Sequence, residues 1–529
     1  MSRLAVLVLA FALGGCTLAP RAPTSTVADE GSGPSFEVRS FAVEGNTLLD
    51  PARIDALLAP WAGANRRVTD VRAAAAALQD AYRRAGWGVV TVAVPEQHLE
   101  DGRVRLSVQE PRLRDVALQG AVHETDAHVL QSLPELREGR TPNTEQLSRQ
   151  LRLANENPSR RLSVDLRRAM PGQIDALVGV QDEKPWRVGT VIDDTGTAAT
   201  GRMRVGAFLQ HANVADLDHV ATLQAVTSPE HPGRVHIAAV NYRVPLPALG
   251  DAIDLYGIHA DVDSGVIGDT FQVRGRGTVA GLRYTRNLDP VAGLAQRAWT
   301  GLEHRVVENR VGLVGASADL VPDVTLHPVS LGYLVGWSSA RTQLDGSATV
   351  VHNIPGGGNS GAAQIAAART NASAHYTVLR WSASVVQALD ADAPLRIAIE
   401  GQWTRDALVP AEQFGVGGAE SVRGFDEREL INDRGVRTTI ELQTPDVGGG
   451  IAPGFVARGH LFLDQASLHR NRALPGETAR VNVASMGAGA RVAWAPHWQG
   501  RFDVAHVLQG GGVRPRGDER LHVSIGYAY

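Results

Sequence analysis

The sequence predicts a membrane β-barrel that is preceded by two small α+β domains. From Trp186 onward, apolar and polar residues alternate with a period of two, as in strands whose two faces meet different surroundings. The last such strand ends the chain on an aromatic residue, which is typical of a barrel strand anchored at a membrane interface. Before residue 186, one order of strand and helix signals occurs twice, which predicts two similar domains.

Length and composition agree with several units and restrict the function. A chain of 529 residues exceeds one ordinary soluble domain. Its net charge of −4 argues against a nucleic-acid or other polyanionic partner. The mean hydropathy of −0.11 is too polar for a helical membrane protein. A barrel strand, however, turns every second residue to a wet lumen, so a near-neutral average is expected of a barrel.

Residues 1–15 predict a lipoprotein-type signal peptide. Arg3 supplies a positive charge, and the ten residues that follow are purely apolar, which is too short a run to span a bilayer. The run ends in Leu-Gly-Gly-Cys, which resembles the bacterial lipobox. We therefore expect acylation of Cys16, the single cysteine of the chain. The alternative is ordinary cleavage near Ala19 or Ala22.

Residues 36–111 carry the first set of strand and helix signals. After a strand-like run, Asp50-Pro51 opens a helix, since proline is tolerated at the first helical position. Thr69 or Asp70 can cap a second helix, which two further strands follow. The order β-α-α-β-β predicts one small α+β domain.

Residues 112–185 repeat this order and predict a second domain of the same kind. The run Val116-Ala-Leu-Gln-Gly120 echoes Phe41-Ala-Val-Glu-Gly45 about 75 residues earlier. Taken alone, the pattern fits any pair of small α+β repeats.

Residues 186–529 predict the barrel itself. In one strand, for example, Ile397 and Trp403 lie on an apolar face, while Arg396 and Glu400 lie on a polar one. This alternation fits a soluble sandwich as well as a barrel. The length decides between them, because about 340 residues of such strands would make an oversized sandwich.

The C-terminal strand supports the membrane interpretation. Ile525, Tyr527 and Tyr529 alternate with small or polar residues, and the final residue is aromatic. This pattern resembles the C-terminal signal by which outer-membrane barrels are recognised and inserted. It gives an apolar face toward lipid and an aromatic anchor at the interface.

A glycine-rich loop at about 411–435 contains the most specific motif, Val422-Arg423-Gly424-Phe425. Glycines allow such a loop to fold back on itself, and an arginine offers five donors to a carboxylate. About forty residues later, a strand-like run carries the isolated acid Asp464. From the residues alone, the alternative is a surface hairpin with a solvated arginine.

This motif, followed by Phe462-Leu-Asp464, resembles that of the outer-membrane transporters of two-partner secretion, the TpsB (ShlB/FhaC/HecB) family, which shares a superfamily with BamA. Two further runs carry a weaker resemblance: Asp193-Asp-Thr-Gly196, and Asn241-Tyr-Arg-Val-Pro-Leu246. The resemblance implies about sixteen antiparallel strands and two periplasmic POTRA domains. It also implies that the loop lies inside the barrel, where Arg423 meets Asp464 in a pair that we expect to be partly solvated.

The resemblance also implies a function. The POTRA domains would capture a large unfolded exoprotein, a cognate TpsA-type cargo of the haemolysin secretion/activation type, and the barrel would pass it through the Gram-negative outer membrane. The barrel assembly machinery and outer-membrane lipid are the other expected partners, and we expect a monomer. Alternatives are an outer-membrane assembly or insertion factor of the same superfamily, or a passive porin or receptor.

One departure from this family is expected at the N-terminus. Its best-known members carry a plain signal and a helix that plugs the barrel. Residues 16–35 are instead rich in proline, serine, threonine and glycine without helical periodicity, which predicts a flexible tether and no plug helix.

The sequence offers no sign of catalysis. Its 17 histidines are scattered without metal-ligand spacing. Gly356-Gly-Gly358 lacks the Lys-Ser/Thr of a phosphate loop, and no Gly-x-Ser-x-Gly elbow is present. We therefore expect neither an enzyme nor a cofactor or metal site.

Overall fold

The computed structural model describes residues 35–98, 101–267, 271–314 and 319–529. The predicted signal peptide, Cys16 and the tether lie outside these residues, so lipidation and the lack of a plug helix stay predictions. The chain divides into two compact units near residue 110, with Gly86–Val89 belonging to the second. None of the helices in the described residues is long and apolar enough to cross a membrane.

The first unit is an α+β domain with two small sheets. Its elements are β1 (Phe36–Val38), β2 (Ser40–Glu44), α1 (Pro51–Leu58), β3 (Gly63–Arg66), α2 (Val68–Arg84), β4 (Thr91–Ala93) and β5 (Arg103–Gln109). Strands β1 and β3 pair with each other, and β2, β5 and β4 form the second sheet, in which β2 and β5 are parallel. The short strand β3 is absent from the predicted order, because four residues between two helices, three of them exposed, give no periodic signal.

Both helices of this domain begin at local caps. The side chain of Asp50 accepts a hydrogen bond of 3.0 Å from the N–H of Ala52, as the Asp-Pro start predicted. Helix α2 begins at Val68, slightly before the predicted cap. Asp70 is therefore inside its first turn, where its carboxylate accepts from the N–H of Arg67 at 2.8 Å.

The second unit begins with another α+β domain. Its elements are β6 (Arg112–Gln119), α3 (Asp126–Ser132), α4 (Thr144–Ala154), β7 (Arg160–Arg168) and β8 (Gln173–Asp182), with the sheet order β6-β8-β7. Gly45 and Gly120, which end the two echoed runs, have φ of +88° and +94°. A Cβ would lie 2.3 Å from the carbonyl oxygen of Val108 at the first, and 2.5 Å from that of Val180 at the second. The sequence echo therefore reflects a shared backbone geometry.

The rest of the second unit is a closed antiparallel barrel. Its strands are β9 (Trp186–Asp193), β10 (Arg204–Val214), β11 (His219–Thr227), β12 (Val235–Leu246), β13 (Asp251–Ile267), β14 (Phe271–Val291), β15 (Leu294–Leu313), β16 (Val324–Leu326), β17 (Pro328–Ser338), β18 (Thr342–Asn353), β19 (Thr377–Ala388), β20 (Pro394–Trp403), β23 (Arg434–Gln443), β24 (Phe455–His469), β25 (Arg480–Trp494), β26 (Trp498–Gln509) and β27 (Glu519–Ala528). A short helix, α5 (Ala362–Ala368), lies between β18 and β19.

The barrel has sixteen strands, as the resemblance implied. Strands β16 and β17 both pair with β15 and are two parts of one strand, which is interrupted at His327. The last strand, β27, pairs with β9 and closes the barrel, with Ile525 opposite Ile192. Because the number of antiparallel strands is even, β27 ends at the same end of the barrel at which β9 begins, directly after the second α+β domain.

The outer surface is apolar, which excludes the soluble sandwich. Leu331 and Leu521 keep 65% and 56% of their surface exposed, whereas a sandwich would bury its apolar face. Of the predicted C-terminal signal, Ile525 and Tyr529 are exposed on this outside. The ring of Tyr527 lies 4.9 Å from that of Trp498, so aromatic rings cluster at this end of the barrel.

Candidate functional site

The candidate site is a long loop that folds into the barrel lumen. This lumenal loop comprises residues 404–433, between β20 and β23, and it holds a hairpin of β21 (Phe414–Val416) and β22 (Leu430–Asn432). The boundaries predicted from the sequence, 411–435, are wrong at both ends. The loop starts earlier, and Arg434 and Gly435 already pair with β24 in the barrel wall.

Arg423 and Asp464 are brought together at the tip of the lumenal loop. Nε of Arg423 donates to Oδ2 of Asp464 at 2.7 Å, and Nη2 donates to Oδ1 at 2.9 Å. The backbone N–H of Arg423 adds a third bond to the same carboxylate, at 3.2 Å. Below the guanidinium, the ring of Phe462 lies 3.4 Å from Cζ, in a cation–π contact.

Two further carboxylates, which sequence reasoning missed, surround the same guanidinium. Nη1 of Arg423 donates to Glu441 on β23 at 3.1 Å, and it lies 3.8 Å from Asp503 on β26. Glu441 also accepts three bonds from Arg491, from Nε at 3.2 Å and from Nη2 at 2.8 and 2.9 Å. Asp503 accepts from Arg501 at 2.6 Å. Three arginines therefore balance three carboxylates.

The expectation of a partly solvated pair is wrong. Only 2% of Arg423 and none of Asp464 is exposed. The reason is an apolar cover that the loop itself provides, since Val422 and Phe425 are buried beside the arginine. They pack in one cluster with residues of the barrel wall, namely Ala466, Leu468, Val483 and Val507. At a buried ion pair the loss of one partner is costly, because the remaining charge stays desolvated.

Gly424 lets the loop approach the wall closely. Its φ is +94°, and a Cβ would lie 3.3 Å from Cγ2 of Val507 and 3.4 Å from Cβ of Ala505. Its N–H donates to Nε2 of His522 at 3.0 Å, so that nitrogen acts as an acceptor. His522 belongs to β27, so the loop tip also contacts the closing strand of the barrel.

The base of the lumenal loop is anchored as well. Asp433 is fully buried and accepts from Nη2 of Arg369 at 2.9 Å and from the N–H of Asn471 at 2.7 Å. Glu412, also fully buried, accepts from Nη2 of Arg380 at 2.9 Å. Ion pairs therefore hold the loop at both ends.

The missed residues carried a partial signal. Alternation along β23 already placed Glu441 on the polar face, but nothing in the sequence indicated which polar residues of β23, β26 and β27 meet at one height.

Within the described part of the chain, no group of three His, Cys, Asp or Glu side chains could hold a metal ion. Below the loop tip, a cavity of about 400 Å³ is lined by charged side chains, among them Arg396, Glu400 and Arg437.

Two family models match the chain. The model described as haemolysin secretion/activation protein ShlB/FhaC/HecB matches residues 172–492. The model of the ShlB-type POTRA domain matches residues 36–110. The first match covers more than half of the chain.

Relatives and solved structures agree with these matches. The outer membrane transporter CdiB of Escherichia coli is 25% identical over 496 residues, which cover 89% of this chain and 79% of that protein. The solved structure of CdiB from Escherichia coli has a TM-score of 0.76 at 21% identity and covers 97% of this chain and 93% of the other. CdiB from Acinetobacter baumannii has a TM-score of 0.72 at 16% identity, with coverages of 94% and 90%. Both solved structures therefore have the same fold as this chain.

The matches, the sixteen-stranded barrel and the two α+β domains agree with one another. This is a family of transporters and not of enzymes, and its members act with a secreted exoprotein partner. The chain belongs to the ShlB/FhaC/HecB family of two-partner secretion transporters, outer-membrane β-barrels whose POTRA domains lie in the periplasm.

Proposed function

We propose that this protein secretes one large exoprotein through its barrel and that the lumenal loop gates the lumen. The observation that carries the proposal is the burial of Arg423 against Asp464, Glu441 and Asp503. A loop held inside the lumen by ion pairs obstructs free passage. Its tip can also leave the wall while its base stays anchored, because the main anchor at the tip is a single side chain.

Capture of the exoprotein would take place on the POTRA sheets. In the second domain β7 is an edge strand of nine residues, and an edge offers unpaired N–H and C=O groups to an unfolded chain. Arg160 at the start of β7 pairs with Asp218 in a barrel turn. A peptide added along β7 would therefore end beside the barrel. Backbone pairing makes few demands on sequence, as transport of a long exoprotein requires.

For the cargo we propose a cognate TpsA-type exoprotein of the haemolysin secretion/activation type, as in the description of the matching family. Relatives named outer membrane transporter CdiB support transport at the outer membrane in general. A passive porin is disfavoured because the lumenal loop occupies its channel. An assembly factor of the same superfamily is the remaining alternative.

Maturation of the protein would involve two further steps. The barrel assembly machinery would insert the barrel in outer-membrane lipid as a monomer by recognising the strand that ends in Ile525, Tyr527 and Tyr529. Acylation of Cys16 would anchor the N-terminus in the membrane. Mass spectrometry of the mature N-terminus tests the second step: a diacylglyceryl-modified Cys16 is expected, and an unmodified start at a later residue contradicts it.

The main test is secretion in a host from which the gene of this transporter and the gene of the neighbouring exoprotein have both been deleted and can be reintroduced. We expect the product of a neighbouring large exoprotein gene to reach the medium only when this transporter is present. The levels of other outer-membrane barrels and the uptake of small solutes are measured in the same cells. Loss of other barrels without the transporter would favour an assembly factor. Solute uptake without secretion would favour a porin.

A further inference from the structure

The lumen wall opposite the lumenal loop encloses a second cavity, of about 460 Å³. This opposite wall consists of β11–β15 and β17, and the charged and aromatic residues that line the cavity are Arg243, Asp254, Tyr256, Arg283, Arg297 and Trp299. The strand register places them on the lumenal face. Ile258 also lines the cavity. It lies opposite Val279 on the next strand, and Val279 lies opposite Arg305 on the strand after that. Arg305 forms an ion pair with Glu412 of the lumenal loop, so these three residues share the lumenal face.

Arg283 is the unpaired cation of this cavity. Its Cζ lies 4.2 Å from the ring of Trp299 and 5.9 Å from that of Tyr256. Among the described residues, none forms a hydrogen bond or ion pair with its guanidinium, and Nε is buried without a partner. The neighbouring arginines are neutralised, since Arg243 pairs with Asp254 and Arg297 with Glu156. Asp254, which lies directly opposite Arg283, and Glu156 are thus already paired, and Arg283 has no ion-pair partner among the described residues.

Two glycines fix the rings that support this cation. A Cβ on Gly281 would lie 2.3 Å from Cζ of Tyr256, and a Cβ on Gly332 would lie 2.1 Å from Nε1 of Trp299. Both rings therefore lie flat on bare backbone, which any other residue would prevent. Stacking on Trp299 leaves the edge of the Arg283 guanidinium free to donate.

Apolar side chains beside the rings are also exposed to the lumen. Ile258 and Leu334 line the cavity and keep 41% and 38% of their surface exposed. On the wall that the lumenal loop covers, inward apolar side chains such as Phe462 and Val507 are buried instead. An oriented cation next to exposed apolar groups fits a chain that presents both a carboxylate and apolar side chains.

We propose that this surface binds the transported chain as it enters, through an extended acidic peptide segment. One carboxylate of the segment accepts two hydrogen bonds from Arg283, and a neighbouring apolar side chain covers Ile258 and Leu334. The proposal rests on the proposed secretion function. The cavity is suitably placed, because Glu156 of the second POTRA domain contacts Arg243 and Arg297 at its rim.

The test is photo-cross-linking on the purified full-length protein in detergent. A benzophenone amino acid replaces Leu334, and two fluorescent peptides of glycine, serine and leucine are compared, one carrying glutamates and the other lysines at the same positions. We expect the glutamate peptide to cross-link about tenfold more than the lysine peptide at equal concentration, as one lost charged contact predicts. Equal labelling by the two peptides would overturn the proposal.

Two further variants assign the charge to one side chain. Arg283→Gln should reduce labelling by the glutamate peptide about tenfold. Arg286→Gln removes the same charge from the exposed, opposite face of β14 and should leave labelling unchanged. If Arg283→Gln labels like the parent protein, the proposal fails. Each variant is shown to be folded if the unheated protein migrates on a gel differently from the heated protein, as the parent protein does.

This experiment is independent of the secretion assay. A parent protein that cross-links the glutamate peptide but secretes no exoprotein would contradict the proposed function and leave the binding site standing. A protein that secretes but does not distinguish the two peptides would contradict the binding site alone.

Discussion

On both sides of the lumen, an aromatic ring lies on a glycine and an arginine stacks on the ring, but only one of the two arginines forms ion pairs. On the side of the lumenal loop, Phe462 lies over Gly487, and the guanidinium of Arg423 lies over the ring. On the opposite wall, Trp299 lies over Gly332 with Arg283 above it. The difference is in the ion pairs: Arg423 contacts three carboxylates of its own chain, whereas Arg283 forms no ion pair with a described residue, since the neighbouring Asp254 pairs with Arg243.

This difference indicates that Arg423 anchors a segment of its own chain, whereas Arg283 is free to bind another molecule. A buried arginine with all its acids in place fixes a segment of its own chain, since releasing Arg423 would leave Asp464 buried without its ion-pair partner. A stacked arginine without an acid is held ready for an acceptor from elsewhere. Variants that remove one component at a time can therefore break the comparison or sharpen it.

The largest effect is expected for Arg423→Ala. The change leaves three buried carboxylates without their shared partner, and breaking a buried ion pair costs about 3–5 kcal/mol. The barrel should still insert, while secretion falls and the ion conductance rises because the loop leaves the wall. Planar-bilayer recording and the secretion assay measure these effects. Arg396→Ala, which removes a charge from the same cavity, is the control, and normal secretion by Arg423→Ala would contradict the gating role.

A smaller effect is expected for Asp464→Asn. From the sequence alone, loss of either partner should have equal consequences. In the structure Glu441 and Asp503 remain to hold Arg423, so only the bidentate bonds and the bond from the backbone N–H are weakened. A hydrogen bond to a charged group contributes about 1.5–3 kcal/mol. We expect a conductance between those of the parent and Arg423→Ala, and a value equal to the latter would show that Asp464 acts alone.

Gly424→Ala tests the close approach of the loop tip. The positive φ disfavours an L-residue by about 1–2 kcal/mol, and the new methyl group would press on Val507 and Ala505. Protease cleavage within the lumenal loop should become faster while the barrel stays folded. Gly449→Ala, in a turn where a Cβ would meet open space, is the matched control. Equal cleavage of the two variants would contradict a docked tip.

The smallest effect on the fold is expected for Arg283→Gln. Because no acid of the described chain pairs with Arg283, the barrel should lose only the cation–π contact with Trp299, about 0.5–1 kcal/mol of stability. The temperature at which the folded band disappears on a gel measures this. A clear loss of stability would indicate that Arg283 has a structural partner, and the contrast between the two walls would then disappear.

Much of the fold was predictable because its signals are local. The period of two identified the strands, and it placed Glu441 on the polar face and Ile397 on the apolar one. Asp50-Pro51 marked the start of helix α1. The strand number followed only from the family resemblance, because alternation does not show how many strands a sheet needs to close.

The candidate site was less predictable, because its members meet only after closure. The motif pointed to Arg423, but the expectation of partial solvation was wrong, since the cover by Val422 and Phe425 depends on the loop conformation. His522 lies 98 positions from its partner Gly424. No local pattern connects residues so far apart.

By itself, the sequence determined which side of the barrel wall each residue faces, and where glycine lets the backbone turn or approach closely. Both are properties of single strands and single residues. Only the tertiary structure decided which charges meet. Closure through β27 and β9 sets the strands at fixed relative heights, and this register gives Arg423 three acids. Opposite Arg283 it places Asp254, which pairs with Arg243 instead, so Arg283 has no ion pair within the described chain. Electrostatic pairing depends on distances between strands, which a one-dimensional pattern does not contain.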